Sequence, residues 1–323
     1  GLSVIGLFDV LKKLPRFFAL KDTLLKLAQE RKPGLIILVD FSGFNLRFAK
    51  AINNSIPIAY YVSPQVWASR QGRIKTIKRF ISKMICLFKF EEEFYKLHGV
   101  DVSFAGHPLL DIAKPSMTRL ELMANLGLSG KKTTISLLPG SRKGEIKYIL
   151  PEMLRACRII LQKVNAQFII AKSPQVDWEI YNRIIKKCCI EVKIVEGKTY
   201  DCLNCADFSL VASGTATLEA ALIGKPFVVI YKMNPLNYIL YRPQVKLPYI
   251  GMVNIVAGKE IVPEFIQLRA TPKNISREVI RLLNNSAELE EMKQNLSRIK
   301  SSLGEPGASL RAAQIITNFL DKK

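Results

Sequence analysis

The chain has 323 residues, 49% of them apolar, and carries 48 lysines and arginines against 27 aspartates and glutamates, a formal net charge of +21. That composition excludes a disordered chain, allows two domains with separate cores, and points to anionic partners: nucleic acid, an anionic lipid surface or phosphorylated substrates. Its most apolar segments are broken by Lys, Pro or Gly before they reach the roughly 18 residues that a spanning helix needs, so no membrane crossing is expected.

Residues 3–29 set Val4, Leu7, Phe8, Leu11, Leu14, Phe17, Phe18, Leu24, Leu25 and Leu27 at spacings of three and four, with Lys12, Lys13, Arg16, Lys21 and Lys26 between them. Pro15 is expected to split this stretch into two helices. The pattern fits a helix lying in a bilayer interface and equally a core helix with a solvated basic face. Leu35–Asp40 reads as an apolar strand ending in a carboxylate, followed by a helix through Ile52. Asp40 at the carboxyl end of a buried strand is a candidate base, or a cap for the next helix. Pro57–Val62 is a second strand, and basic residues then crowd the stretch from Arg70 to Arg79, suiting either phosphate contacts or an exposed basic helix. Met84–Phe88 and Val102–Ala105 read as further strands around a helix from Glu91 to His98. His107, in Gly106-His107-Pro108, has the near-neutral pKa of an acid or base; held by backbone groups, it would be an ordinary loop histidine.

The boundaries expected are a first domain over 1–113, a linker over 114–130, a second domain over 131–300, and a C-terminal helix in 301–323 that could pack back on the first domain. In the second domain the strands Thr133–Leu138, Gln167–Ala171, Glu191–Val195, Phe208–Ala212 and Phe227–Tyr231 alternate with helices, the pattern of a doubly wound parallel sheet. Pro139-Gly140-Ser141-Arg142 resembles a phosphate cradle without the spacing and Lys of a P-loop, and Pro151 is expected to break the helix after it. Ser213-Gly214-Thr215 is a tight turn before a helix from Thr217 to Ile223 stopped by Gly224; Glu219 in its first turns could accept hydrogen bonds from a sugar diol or serve the helix dipole. Beyond Tyr231 come a helix to about Val245, then Asn254, Lys259 and Glu264 as polar groups expected to face a ligand, and helices from Asn274 and Ala287. Six cysteines fit reduced packing thiols, and Cys202 with Cys205 lacks the further ligands of a zinc site.

Several segments together resemble the lipid-A-disaccharide synthases: Tyr61-Val-Ser-Pro-Gln-Val-Trp-Ala68 with Arg70-Gln71, Phe104-Ala-Gly-His-Pro108, Leu137-Leu-Pro-Gly-Ser-Arg142 with Glu145, Ala212-Ser-Gly-Thr-Ala-Thr-Leu-Glu219, Tyr231-Lys-Met233, and Asn254 with Ala257-Gly-Lys-Glu260. Each is weak alone, but they occur in the family's order across essentially the whole chain. The resemblance implies an α/β fold of GT-B type, two Rossmann-like parallel-sheet domains facing a cleft. It implies inverting transfer from UDP-2,3-diacylglucosamine to 2,3-diacylglucosamine 1-phosphate, giving the β-1,6 disaccharide 1-phosphate and UDP, at the cytoplasmic face of the inner membrane of a Gram-negative bacterium.

By that resemblance Asp40 would be the general base, with His107 the other candidate, and Arg142 would meet the donor pyrophosphate. Ser141, Ser213, Gly214, Thr215, Thr217, Glu219, Met233 and Asn254 would complete the UDP-sugar site. Ser63, Trp67, Arg70, Gln71 and His107 would line the acceptor side, and Phe8, Leu11, Leu14, Phe17 and Phe18 the membrane-docking face. With Arg142 and a helix N-terminus to stabilise the departing diphosphate, no metal or cofactor is expected. The partners implied are acylated glucosamines and an anionic membrane surface, not nucleic acid, and self-association stays open.

Ser69 replaces an aromatic of the family's Trp-Ala-Trp motif and Gly43 a second acid after Asp40. The family's N-terminal strand and glycine-rich turn are absent ahead of Gly1, so a truncated copy with an incomplete first sheet is expected. The alternatives are another UDP-sugar enzyme of this fold, an N-acetylglucosaminyltransferase or a UDP-N-acetylglucosamine 2-epimerase, or an inactive basic module that binds membrane.

Overall fold

The structure is a computed structural model that describes residues 7–241, 243 and 247–321, the side chains of 7–14 and 241 excepted. Two compact units account for it, dividing after Asp111, with the chain from Ser302 onward returning to the first.

The first unit runs α1 (Leu7–Arg31), β1 (Ile36–Val39), α2 (Ser42–Ile52), β2 (Ile58–Tyr61), α3 (Ile74–Phe80), β3 (Lys83–Cys86), α4 (Lys89–Leu97), β4 (Val102–Phe104) and α5 (Leu109–Ile112). Its strands form a parallel sheet in the order β1-β2-β3-β4. Such a sheet must be covered on its faces. Leu38, Ile58, Tyr60 and Met84 do so against Leu46, Phe48, Ala49, Ile77, Phe80 and Tyr95. On β1 the alternation leaves Ile37 and Val39 half exposed.

The second unit continues with α6 (Arg119–Leu126), β5 (Thr133–Leu138), α7 (Lys143–Ile160), β6 (Ala166–Lys172), α8 (Trp178–Cys188), β7 (Lys193–Glu196), α9 (Thr199–Cys205), β8 (Phe208–Ala212), α10 (Ala216–Ile223), β9 (Phe227–Tyr231), α11 (Pro235–Tyr241), α12 (Met252–Ala257), β10 (Glu264–Ile266), α13 (Pro272–Leu283) and α14 (Ser286–Ser302). All its strands are parallel, in the order β10-β9-β8-β5-β6-β7. The last helix, α15 (Ala308–Asp321), packs Ala312 with Ile315 and Ile316 on Ile85 and Ala105 of the first unit. Arg311 fixes that contact by donating to the carbonyl of Ala105 at 2.9 Å.

Both prolines expected to end helices lie inside them. A proline removes one backbone hydrogen bond, and α7 offsets that loss by burying Ile146, Ile149, Leu150, Met153, Leu154 and Ile160. A further correction is β10, read from sequence as loop: three residues extend the sheet by pairing Phe265 with Ile230. The expected helix to Val245 is seen as far as Tyr241, and residues 242 and 244–246 lie outside those described. Among the described residues no helix is long and apolar enough to cross a membrane.

Candidate active site

Because the second sheet is parallel throughout, the carboxyl ends of its strands share one edge, and the winding reverses between β5 and β8, where open sheets of this kind leave a ligand crevice. The turns that follow these two strands are Pro139–Arg142 and Ser213–Thr215, and Lys232–Asn234 follows β9 on the same edge. Gly140 and Gly214 have φ of +105° and +137°, a region that side chains disfavour, and a Cβ at Gly140 would collide with the Glu145 carboxyl.

In the first turn the N–H groups of Ser141 and Arg142 donate to Glu145 Oε2 at 3.1 and 3.3 Å, and Arg142 Nη1 donates to Glu145 Oε1 at 2.8 Å. Two amides and a guanidinium thus converge on an oxyanion, the donor set that recognises a phosphate. In the second turn Ser213 Oγ donates to the carbonyl of Ile250 at 2.8 Å, while Thr215 is exposed ahead of the first-turn amides of α10. Glu219 is half-buried and accepts from the Tyr200 hydroxyl at 3.2 Å. Burial pushes its carboxyl above the usual range, and burial with the Glu219 charge pushes the Tyr200 phenol up to about 12. Tyr200 sits on α9 and no sequence motif marks it.

Other residues expected at this site have work inside the protein. Asn254 is fully buried: Nδ2 donates to Val262 O and Glu264 Oε1, both at 2.8 Å, and Oδ1 accepts from the amides of Ile261 and Val262. Every bonding position of its amide is occupied. Glu264 is buried as well and accepts from the amides of Ile250 and Gly251 at 2.9 Å. The expectation that Asn254 and Glu264 face a ligand is therefore corrected, because these backbone groups need partners where water is excluded. Lys259 is exposed. Thr217, also fully buried, donates to the carbonyl of Gly214 and so shapes the turn from behind. Met233 is half-buried, and the Gln267 amide holds its backbone N–H and C=O.

In the first unit Asp40 and Phe41, after β1, have φ of 48° and 41°, and Val62, after the adjacent β2, has 64°. A left-handed residue other than glycine is uncommon and persists where its surroundings hold it, as those of Asp40 do. Here the N–H of Asp40 donates to Tyr61 O at 3.1 Å, and its C=O accepts from Asn45 Nδ2 at 2.8 Å and from the Tyr60 hydroxyl. The backbone is pinned and the Asp40 residue itself is exposed. Burial raises the Tyr60 phenol well above its ordinary value, so it stays a donor.

Ser63 and Trp67 are buried, whereas Arg70 and Gln71 are exposed. Trp67 Nε1 donates to Glu91 Oε1 at 3.0 Å, and burial raises the Glu91 carboxyl above its usual range. The Ser63 hydroxyl lies beside that carboxyl without a well-formed hydrogen bond. His107 is buried, 5.1 Å from the Phe88 ring, and its Nδ1 accepts from the amide of Leu109 at 3.1 Å. Desolvation lowers its pKa to about 4, leaving a neutral imidazole at physiological pH. On α1, Phe17 turns inward against Phe41 and Phe44 at 5.6 and 6.2 Å, while Phe18 is 53% exposed. The side chains of Phe8, Leu11 and Leu14 lie outside the described residues.

The family described as lipid-A-disaccharide synthetase matches residues 1–319. A lipid-A-disaccharide synthase from Syntrophus aciditrophicus is 42% identical over 325 residues, covering 99% of this chain and 85% of that protein. One from Myxococcus xanthus is 38% identical over 321 residues, with 99% and 84% covered. Among solved structures, UDP-GlcNAc 2-epimerase from Neisseria meningitidis superposes with a TM-score of 0.63 at 13% identity, covering 99% of this chain and 83% of that one. A glycosyltransferase from Rickettsia africae gives 0.57 at 8% identity, with 99% and 84% covered. At such identities the structural likeness speaks for the fold, which is of GT-B type.

Proposed function

The chain belongs to the lipid-A-disaccharide synthetase family, a family of glycosyltransferases, and from that premise we propose how its own residues carry the reaction. The transfer joins a 2,3-diacylglucosamine unit from its UDP donor to the 6-hydroxyl of 2,3-diacylglucosamine 1-phosphate, with inversion, and releases UDP. The observation that supports this most is the pair of phosphate-type turns, Pro139–Arg142 and Ser213–Thr215, flanking the winding reversal between β5 and β8.

Arg142 and the amides of Ser141 and Arg142 hold the diphosphate, displacing Glu145, and the start of α10 adds its dipole. Glu219, steadied by Tyr200, accepts from the ribose hydroxyls. Asp40 takes the proton of the acceptor hydroxyl as its oxygen bonds to the anomeric carbon and the bond to UDP breaks, the electron pair leaving with UDP. This assignment favours Asp40 over His107, since the imidazole nitrogen free of its own proton is engaged by Leu109. Thr217, Asn254, Ser63 and Trp67 act from behind as supports. No step needs a metal, because amides and guanidinium meet the developing charge.

Supplied with both acylated sugars, the chain should form disaccharide 1-phosphate and UDP in equal amounts, followed by mass spectrometry. Asp40→Asn should lower turnover by at least roughly 100-fold, the scale of general-base catalysis, with UDP affinity by calorimetry unchanged. Loss of UDP binding instead would make Asp40 a donor ligand, and no product from the unaltered chain would remove the reading.

A further inference from the structure

Three guanidinium groups gather at the carboxyl edge of the first sheet. Arg73, half-buried in the short 3-10 turn Gln71–Arg73, donates through Nη1 to the Ser42 hydroxyl at 3.2 Å, at the first residue of α2. Arg47 projects from the second turn of α2, and Arg70 precedes the 3-10 turn in the left-handed conformation, φ 54°. They lie close enough that burial, then the charges of Arg70 and Arg47, make Arg73 easier to deprotonate. Asp40 is a neighbour: its charge and that of Arg73 both act on Tyr60.

Arg73, half-buried, carries the like charges of the exposed Arg47 and Arg70 beside it, a repulsion that an anion bound among them would offset. Guanidinium forks suit a tetrahedral dianion, and Ser42, which accepts from Arg73, keeps its own proton to donate. We propose that Arg47, Arg70, Arg73 and Ser42 form a subsite for a phosphate monoester, the anomeric phosphate of the acceptor sugar, beside Asp40. The assignment rests on the transferase reading and adds the basis of acceptor selection: the phosphate anchors C1 of the sugar while its 6-hydroxyl, on the other side of the ring oxygen, reaches the base.

The test measures binding of 2,3-diacylglucosamine 1-phosphate and of its dephosphorylated analogue, both in neutral detergent. The proteins are the unaltered chain, the pair Arg47→Gln with Arg73→Gln, and the charge-matched pair Lys75→Gln with Lys78→Gln. The unaltered chain should prefer the phosphorylated sugar by on the order of 10- to 100-fold, the range of charge-assisted hydrogen bonds. The preference should collapse in the arginine pair and survive in the lysine pair, with UDP affinity equal in all three. Arg73→Lys, which keeps the charge and loses the fork, should retain part of it. Persistence in the arginine pair, equal loss in the lysine pair, or an unchanged preference in Arg73→Lys overturns the proposal. A lipid headgroup presents the same chemistry, so binding to phosphatidylglycerol vesicles is measured alongside. If the arginine pair loses vesicle binding beyond the lysine pair but keeps its acceptor preference, the subsite belongs to lipid and the proposal falls. Disaccharide formation is scored separately: preference without product removes the transferase reading and leaves the subsite, and product without preference does the reverse.

Discussion

His107 shows what a residue's surroundings do to a motif. In sequence it is a near-neutral titrating group in a Gly-His-Pro turn; in the fold it is a buried neutral ring whose Nδ1 accepts from Leu109. Its folded pKa, about 4, lies below the ordinary 6.5 that the unfolded chain retains. Between those values the unfolded chain binds a proton that the folded one refuses, so stability contributed here is full above 6.5 and lost as pH falls toward 4. Denaturant unfolding at pH 7.5 and 4.5 should show the unaltered chain losing roughly 2–3 kcal/mol more than His107→Asn. Glu91, Glu219 and Glu264, raised by burial, shift in the opposite sense, and the comparison cancels them. Equal losses in both proteins would show that the ring is wetter than its packing implies. Tyr200 is the complementary case: nothing in its neighbours along the chain marks it, because its role comes from α9 meeting α10.

At the scale of elements, the strand-turn-helix units were legible because apolar runs, glycines and hydroxyl residues are local signals. β5 with its Pro139–Arg142 turn, and β8 with α10 stopped by a left-handed Gly224 at φ 75°, lie where the pattern puts them. Illegible were the elements set by distant partners. α7 continues through Pro151 because its apolar face is held by packing. β10 is three residues long and exists because β9 offers an open edge. What holds β10 to α12 is the Asn254–Glu264 pair, two polar residues that the sequence pattern placed facing a ligand. Asn254→Ala would strand the Val262 carbonyl, two amides and part of the Glu264 carboxylate without partners. It should destabilise the protein by about 2–4 kcal/mol, against a few tenths for the exposed Lys259→Ala, by chemical denaturation. Because Ser213 is bonded to Ile250 beside this network, Asn254→Ala should also weaken UDP binding. An unchanged affinity with lowered stability would separate the network from the donor site.

For the whole molecule the deciding quantities are its charge and the helix that opens it. A net +21 would draw the chain to an anionic surface over distances that salt screens, with a Debye length of about 10 Å at 0.1 M. Charge alone would bring it to any polyanion; α1 presents in addition an apolar group, Phe18, 53% exposed and flanked by Lys21 whose ammonium lies 5.7 Å from its ring. On a membrane, such a ring would enter the interface with the ammonium at headgroup level, the arrangement of a peripheral anchor for an enzyme of acylated substrates. Phe17 contributes less than its position suggests, since it is spent on Phe41 and Phe44. In sedimentation with phosphatidylglycerol vesicles, binding should be strong at 0.05 M salt, fall steeply by 0.5 M, and be weak on neutral vesicles throughout. Phe18→Glu should lower it several-fold at fixed salt and leave UDP affinity intact, whereas Phe17→Leu should act on stability more than on vesicle binding. Salt-insensitive binding to neutral and anionic vesicles alike would mean that apolar insertion dominates and that the net charge does not bring the chain to the bilayer.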